Sequence, residues 1–192
     1  MSAVFVIEHL EPRVSKWVLI EYERISSIVG KDNLWLTNVK SKTDRSKISK
    51  FGKVFKDSVS KMSLNYSCVL DPQADQLLSP DDSAKFKFFV FGGILGDYPP
   101  KKRTNKELTQ FLPDADIRNI GDKQLSTDNA VWVVNKIVNN KKVFGELKFR
   151  DRLEVRINDV ESIILPYRYP LIDGKPSVSP KIIDLLKKKK GM

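Results

Sequence analysis

FFVFGGILGDYPPKKRT, Phe88 to Thr104, is the stretch on which the fold turns. The run from Phe86 to Phe91 reads as a buried strand, and it empties into Gly92, Gly93 and Gly96. Glycines directly after a strand let a backbone approach a ligand closely. In the common nucleotide-binding folds the next element is a helix whose N-terminus receives a phosphate. Here Pro99 and Pro100 keep that helix from starting on schedule. No Gly-x-Gly-x-x-Gly opens a helix, and no glycine-rich loop ends in Gly-Lys-Ser/Thr, so the Rossmann and P-loop fingerprints are both missing.

A second glycine loop follows in NIGDKQLSTDNAVWVV, Asn119 to Val134, after a small strand at Ile117 to Ile120. Ser126 or Thr127 caps a helix with apolar residues at Ala130, Val131, Val133, Val134, Ile137 and Val138. A helix that is apolar nearly all round is buried deeply. Two strand-end loops that meet in space make a narrow slot lined by backbone. Its N–H and C=O groups suit the edge of an adenine.

Towards the N-terminus, Ala3 to Ile7 reads as a buried strand with Glu8 and His9 at its end. Pro12 suits the first turn of a helix. Val14, Trp17, Val18, Ile25, Ile28 and Val29 recur at helical spacing, and Gly30 closes that helix. Asn33 to Val39 is a second strand, so the chain opens β-α-β and predicts a parallel sheet. Ser41 to Met62 reads as a basic helical or semi-ordered segment, Ser67 to Leu70 as a short strand, and residues 80–83 as a helix start or turn. Beyond the prolines, Thr104 caps a short helix through Phe111. Leu153 to Ile157 alternates like an edge strand, Leu165 to Pro170 is rigid and extended, and Ser179 to Leu186 is a last helix. Trp17 and Trp132 read as core. With no internal repeat or long linker, residues 1–192 form a single domain, with 143–192 as a C-terminal extension.

The chain has 192 residues, enough for one good core. Its formal net charge is +10, which favours an acidic partner such as nucleic acid or a ribonucleoprotein particle. Cys68 is the only cysteine and His9 the only histidine. An internal disulfide is therefore impossible, a reducing compartment is expected, and no metal site is expected. No apolar run reaches membrane-spanning length, and Glu8 and Glu11 stand where a signal peptide would be apolar. A cytoplasmic protein without a membrane partner is expected.

The blocks VIEHLE (Val6 to Glu11), LDP (Leu70 to Pro72), FVFGGILGDYPPKKRT and IGDKQLSTDNAV together resemble the SPOUT class of S-adenosylmethionine-dependent methyltransferases. Within it they are similar to the fungal SPOUT protein-arginine methyltransferases of a small-subunit ribosomal protein and their archaeal relatives. The resemblance runs from about Val4 to Tyr169, nearly the whole chain. It implies an α/β fold in which a mostly parallel sheet is flanked by helices and a deep C-terminal trefoil knot is tied, an exception to the un-knotted rule.

The resemblance also implies S-adenosylmethionine as cofactor and S-adenosylhomocysteine as product. The cofactor would lie between Phe91, Gly92, Gly93, Ile94, Leu95 and Gly96 on one side and Ile120, Gly121, Asp122, Lys123, Gln124, Leu125, Ser126 and Thr127 on the other, with Leu70 and Asp71 as a third edge. The implied substrate is an arginine of a small-subunit ribosomal protein, met on or near rRNA, and the implied state is a monomer. The rival reading is a SPOUT RNA methyltransferase that uses the basic 41–62 face on rRNA or tRNA. A third is a non-catalytic ribosome-assembly factor.

Arginine is a poor nucleophile because its lone pairs are delocalised and it is cationic near neutral pH. A carboxylate fork can hold the guanidinium and align one nitrogen. By position at strand ends, Glu8 and Asp97 are the candidate clamps. Asp128 suits a helix N-terminus, Asp122 is expected to brace its own loop, and His9 is either structural or a proton carrier.

Overall fold

The structure is a computed structural model, and it describes residues 2–96, 99 and 101–190. Its first half alternates strands and helices: β1 (Val4–His9), α1 (Lys16–Val29), β2 (Leu34–Thr37), α2 (Lys42–Ile48), β3 (Lys53–Val54) and β4 (Ser67–Leu70). Then come α3 (Asp82–Lys85), β5 (Phe88–Gly93), α4 (Arg103–Glu107), β6 (Asp116–Arg118) and α5 (Thr127–Val138). These six strands form one sheet in the order β3-β2-β1-β5-β4-β6, with all pairs parallel.

Strand alternation sorts the apolar side chains onto two faces. Phe5, Ile7, Leu36, Cys68, Phe89 and Phe91 join the face covered by Val18, Tyr22 and Ile25 of α1 and by Val131, Val134 and Ile137 of α5. Val6, Val69 and Val90 face the other way, onto Val59 and Leu108. Phe5 is fully buried, and burying a phenyl ring contributes about 1.5–3 kcal/mol. Cys68 is buried as expected, which pushes its thiol pKa up to about 12 and leaves it inert.

Helix α1 starts later than Pro12 suggested. Ser15 caps it, accepting from Val18 N, while Val14 N is tied to Asp44 Oδ2 at 3.3 Å. Gly30 ends it at φ 82°, donating to Ser26 O. The 41–62 segment is not one helix: α2 stops at Ile48, β3 adds a parallel edge beside β2, and a 3₁₀ turn spans Val59–Lys61. The break comes at Gly52, where a Cβ would lie 2.5 Å from Leu34 O. The helix expected from Thr104 to Phe111 is divided too. It runs Arg103–Glu107, a 3₁₀ turn covers Thr109–Phe111, and between them Leu108 plunges under the sheet at φ −133°.

The C-terminal part is an antiparallel sheet of β7 (Phe149–Arg156), β8 (Ser162–Ile172) and β9 (Lys175–Pro176), followed by α6 (Pro180–Lys190). β8 is the middle strand. Its small core of Val155, Leu165 and Tyr169 is completed by Trp17 from α1 and by Ile183 and Leu186 from α6. Arg24 of α1 bridges Asp128 of α5 at 2.5 Å and the Ser177 hydroxyl after β9, which fastens the hairpin to the parallel sheet's helices.

Candidate active site

A cavity of about 490 Å³ opens at the carboxyl ends of β4 and β5, the position where open parallel sheets bind ligands. One wall is Phe91, Gly92, Ile94 and Gly96; the other is Ile120 to Leu125 with Thr127 and Ala130 of α5. Leu70 and Asp71 form the third edge, continued by Pro72 and Gln73. The two glycine loops therefore do meet. Gly96 is crowded, since a Cβ there would lie against Gln124 and 2.8 Å from the Tyr167 ring, whereas a Cβ at Gly92 would meet Ile94 Cδ1 at 2.9 Å and would require only that side-chain tip to shift. Gly121 turns at φ 92°, which favours glycine.

Three residues expected at the cofactor do not line this cavity. Gly93 sits opposite His9 on β1 and faces α1, where a Cβ would come within 3.0 Å of the Tyr22 hydroxyl, so its smallness serves packing. Leu95 packs against the core while its backbone N–H donates to Glu11 Oε1 at 2.9 Å. Ser126 is the N-cap residue of α5, and its hydroxyl donates to Asp128 Oδ1 at 2.6 Å.

The acids also fall differently. Glu8 is 2% exposed, and its Oε2 accepts from the Thr37 hydroxyl at 2.5 Å and from Val59 N at 3.0 Å. It ties β1 to β2 and to the 3₁₀ turn, and the structure does not bring it to the cavity. Asp97 lies outside the described residues. Asp128 is committed to Arg24 and to Asn129 N. Asp71 accepts from Gln73 N and from the Thr109 hydroxyl, which pins the β4 end to the turn after α4. The brace of the second loop is Asn119, which accepts from Gly121 N and donates to Ala74 O, rather than Asp122. Asp122 lines the cavity, is exposed, and makes no hydrogen bond or ion pair among the described residues.

His9 pairs Nδ1 with the Tyr22 hydroxyl at 2.8 Å, and burial lowers its pKa, so it stands neutral behind the sheet. Burial also raises the Glu21 pKa well above the usual range, helped by the nearby Asp128, under a hydrogen bond from Trp17 Nε1.

Sequence reading missed the basic side of the cavity. Lys101, Lys102, Arg103 and Thr104 line it, and they close the same Phe88 to Thr104 stretch that carries the first glycine loop. Arg103 is held in place by Glu107 through Nε at 2.7 Å and Nη2 at 3.1 Å, and by Glu11 at 3.1 Å. Glu11 thus joins the first glycine loop to α4. The VIEHLE block contained it, but only the fold shows what it reaches.

A parallel sheet ending in two glycine loops around one cavity is matched by known proteins. The model of the family "Protein arginine N-methyltransferase SFM1-like" matches residues 4–192. The chain belongs to this family. It is 38% identical over 202 residues to protein arginine N-methyltransferase SFM1 of Saccharomyces cerevisiae, covering 96% of this chain and 94% of that protein. The crystal structure of yeast SFM1 complexed with S-adenosylmethionine is matched at TM-score 0.92 and 35% identity, covering all (100%) of this chain and 93% of that one. A complex of yeast SFM1 with S-adenosylhomocysteine is matched at TM-score 0.89 and 36% identity, over 96% of this chain and 94% of that one. Trm10 of Thermococcus kodakaraensis shares the fold at TM-score 0.60 and 17% identity over 75% of this chain and 96% of its own. The fold class that the resemblance implied, a mostly parallel sheet flanked by helices, is thus the one found.

Proposed function

We propose that this protein transfers a methyl group from S-adenosylmethionine to an arginine of a small-subunit ribosomal protein. The observation that carries the proposal is the cavity itself. The family's reaction needs a slot for an adenosine-sized ligand, and the two glycine loops wall one of about 490 Å³. The residues fit that ligand: Leu70, Phe91, Ile94, Ile120, Leu125 and Ala130 offer apolar faces to a purine, and Gly92, Gly96 and Gly121 leave backbone groups open. When bound, S-adenosylmethionine would supply an electrophilic sulfonium methyl: as a guanidine nitrogen forms its bond to that carbon the S–CH3 bond breaks, S-adenosylhomocysteine leaves, and the nitrogen gives up a proton.

The chain's part is to orient the guanidinium and accept that proton. The candidate carboxylates for this work are Asp97, which follows Gly96 in the sequence and lies outside the described residues, and Asp122, which lines the opposite wall and has no hydrogen bond or ion pair among the described residues. Asp97→Asn and Asp122→Asn should lower kcat while leaving S-adenosylhomocysteine affinity nearly unchanged. Unchanged kcat in both would remove the carboxylate clamp.

The protein is read as a monomeric, single-domain cytoplasmic enzyme that meets its substrate on or near rRNA. The exposed Lys40, Lys42, Lys50, Lys53 and Lys56 around β3 support that rRNA contact. Among the described residues no helix is long and apolar enough to cross a membrane. The two cavity walls are also read as the crossing loops of the class's trefoil knot, which the placing of β5 between β1 and β4 supports. An experimental chain trace that pulls straight from its two ends would remove the knot.

The test of substrate uses radiolabelled S-adenosylmethionine and small ribosomal subunits from cells lacking this protein. Label recovered as methylarginine from one protein band is expected. Label in rRNA would overturn the arginine reading and establish the RNA methyltransferase.

A further inference from the structure

The C-terminal hairpin touches both walls of the cavity, and it does so with two adjacent residues. The Tyr167 hydroxyl donates to Gly96 O at 2.8 Å, and the Tyr167 ring occupies the space beside the Gly96 α-carbon. The next backbone N–H, that of Arg168, donates to Gln124 O at 2.8 Å, and Arg168 forms a parallel bridge with Leu125. The Arg168 side chain donates through Nε to Asp151 Oδ1 at 2.8 Å, while Lys123 of the second wall pairs with Asp151 Oδ2. Gly96, Lys123, Gln124 and Leu125 all line the cavity.

The strand carrying these contacts is built to hold still. β8 pairs with β7 on either side of a bulge opposite Pro166 and Tyr167 and with β9 at Leu171 and Ile172, Pro166 and Pro170 fix φ on either flank of the pair, and Tyr169 beside them is 3% exposed. The loops it contacts are the opposite. Glycine-rich segments lose the most conformational freedom on ordering, and a ligand that must order them binds more weakly.

We propose that Tyr167 is a positioning residue for the cofactor: with the Arg168 backbone it pins the two glycine walls at a fixed separation, so that the C-terminal hairpin completes the cofactor site in cis. This rests on the cofactor reading above.

Titration calorimetry with S-adenosylhomocysteine tests it on wild type, Tyr167→Phe, Tyr167→Ala and the distant hairpin-tip control Val160→Ser, where the native side chain is 94% exposed. Tyr167→Phe keeps the ring and removes one hydrogen bond, so Kd should rise about two- to tenfold. Tyr167→Ala, which also removes the ring, should raise it further, and Val160→Ser should not change it. In turnover, KM for the cofactor should rise in Tyr167→Phe with kcat at saturating cofactor kept, and the melting temperature of the ligand-free protein should hold. An unchanged Kd in Tyr167→Phe would overturn the proposal, as would a lowered melting temperature with unchanged Kd, which marks a merely structural tyrosine. Failure of the wild type to bind S-adenosylhomocysteine would instead overturn the cofactor reading on which it rests.

Discussion

The two sheets earn their order in different ways. In the parallel sheet, β1 and β5 are buried on both faces, each is paired on both edges, and the apolar residues of α1 and α5 close one side as a continuous core. In the hairpin sheet, β7 is largely exposed, and the small core depends on Trp17 lent by α1 and on the Arg24 bridge. The parallel sheet places the cavity, and the hairpin, held from below, reaches back to hold the cavity's walls. A region of little core of its own thus acts on the site through a few directed contacts.

The comparison breaks most visibly at Phe5, which is fully buried in the parallel sheet. Phe5→Ala should cost about 3–5 kcal/mol and unfold both sheets together in urea. A transition that spared the parallel sheet would contradict its primacy.

Asp128→Ala should come next. It leaves the Arg24 guanidinium, whose side chain is 18% exposed, without its carboxylate, at about 3 kcal/mol. Hydrogen exchange should show the loss first in β8 and β9. Unchanged protection there would mean that the hairpin does not depend on this bridge.

Glu8→Gln should cost about 1–2 kcal/mol, since it weakens charge-assisted bonds from Thr37 and Val59. S-adenosylhomocysteine affinity should not move, because Glu8 does not line the cavity. A large affinity loss would bring Glu8 back to the site.

The smallest effect belongs to Asp151. Hydrogen bonds from Arg168 and Lys123 lower its pKa to about 2. A carboxylate depressed on folding stabilises the fold above its unfolded pKa, about 3.9. That contribution fades as pH falls from there towards 2. Its side chain is 44% exposed, so solvent screens the pair, and Asp151→Asn should flatten this acid limb only slightly in a pH series of melting temperatures.

Local signals carried the strands well. Ser67 to Leu70 is β4 as read, and the β-α-β opening gives the parallel pair β1–β2. They failed where a distant partner decides. Glu8 looked free at a strand end, but Val59, far along the chain, supplies its donor. Gly92 and Gly93 look alike in sequence, yet the strand's alternation turns one to the cavity and the other to Tyr22. The basic segment looked helical because its apolar stripe has the right period, and pairing of β3 with β2 overrides that period from residue 53 on. No periodicity in the hairpin announced that Tyr167 would meet Gly96.

The most direct test of the account is a crystal structure of this protein grown with S-adenosylhomocysteine. The account predicts its adenosine between Phe91–Gly96 and Ile120–Leu125, with the Tyr167 hydroxyl still on Gly96 O. Adenosine bound elsewhere, such as the open depression beside Tyr66 and Arg118, would contradict it.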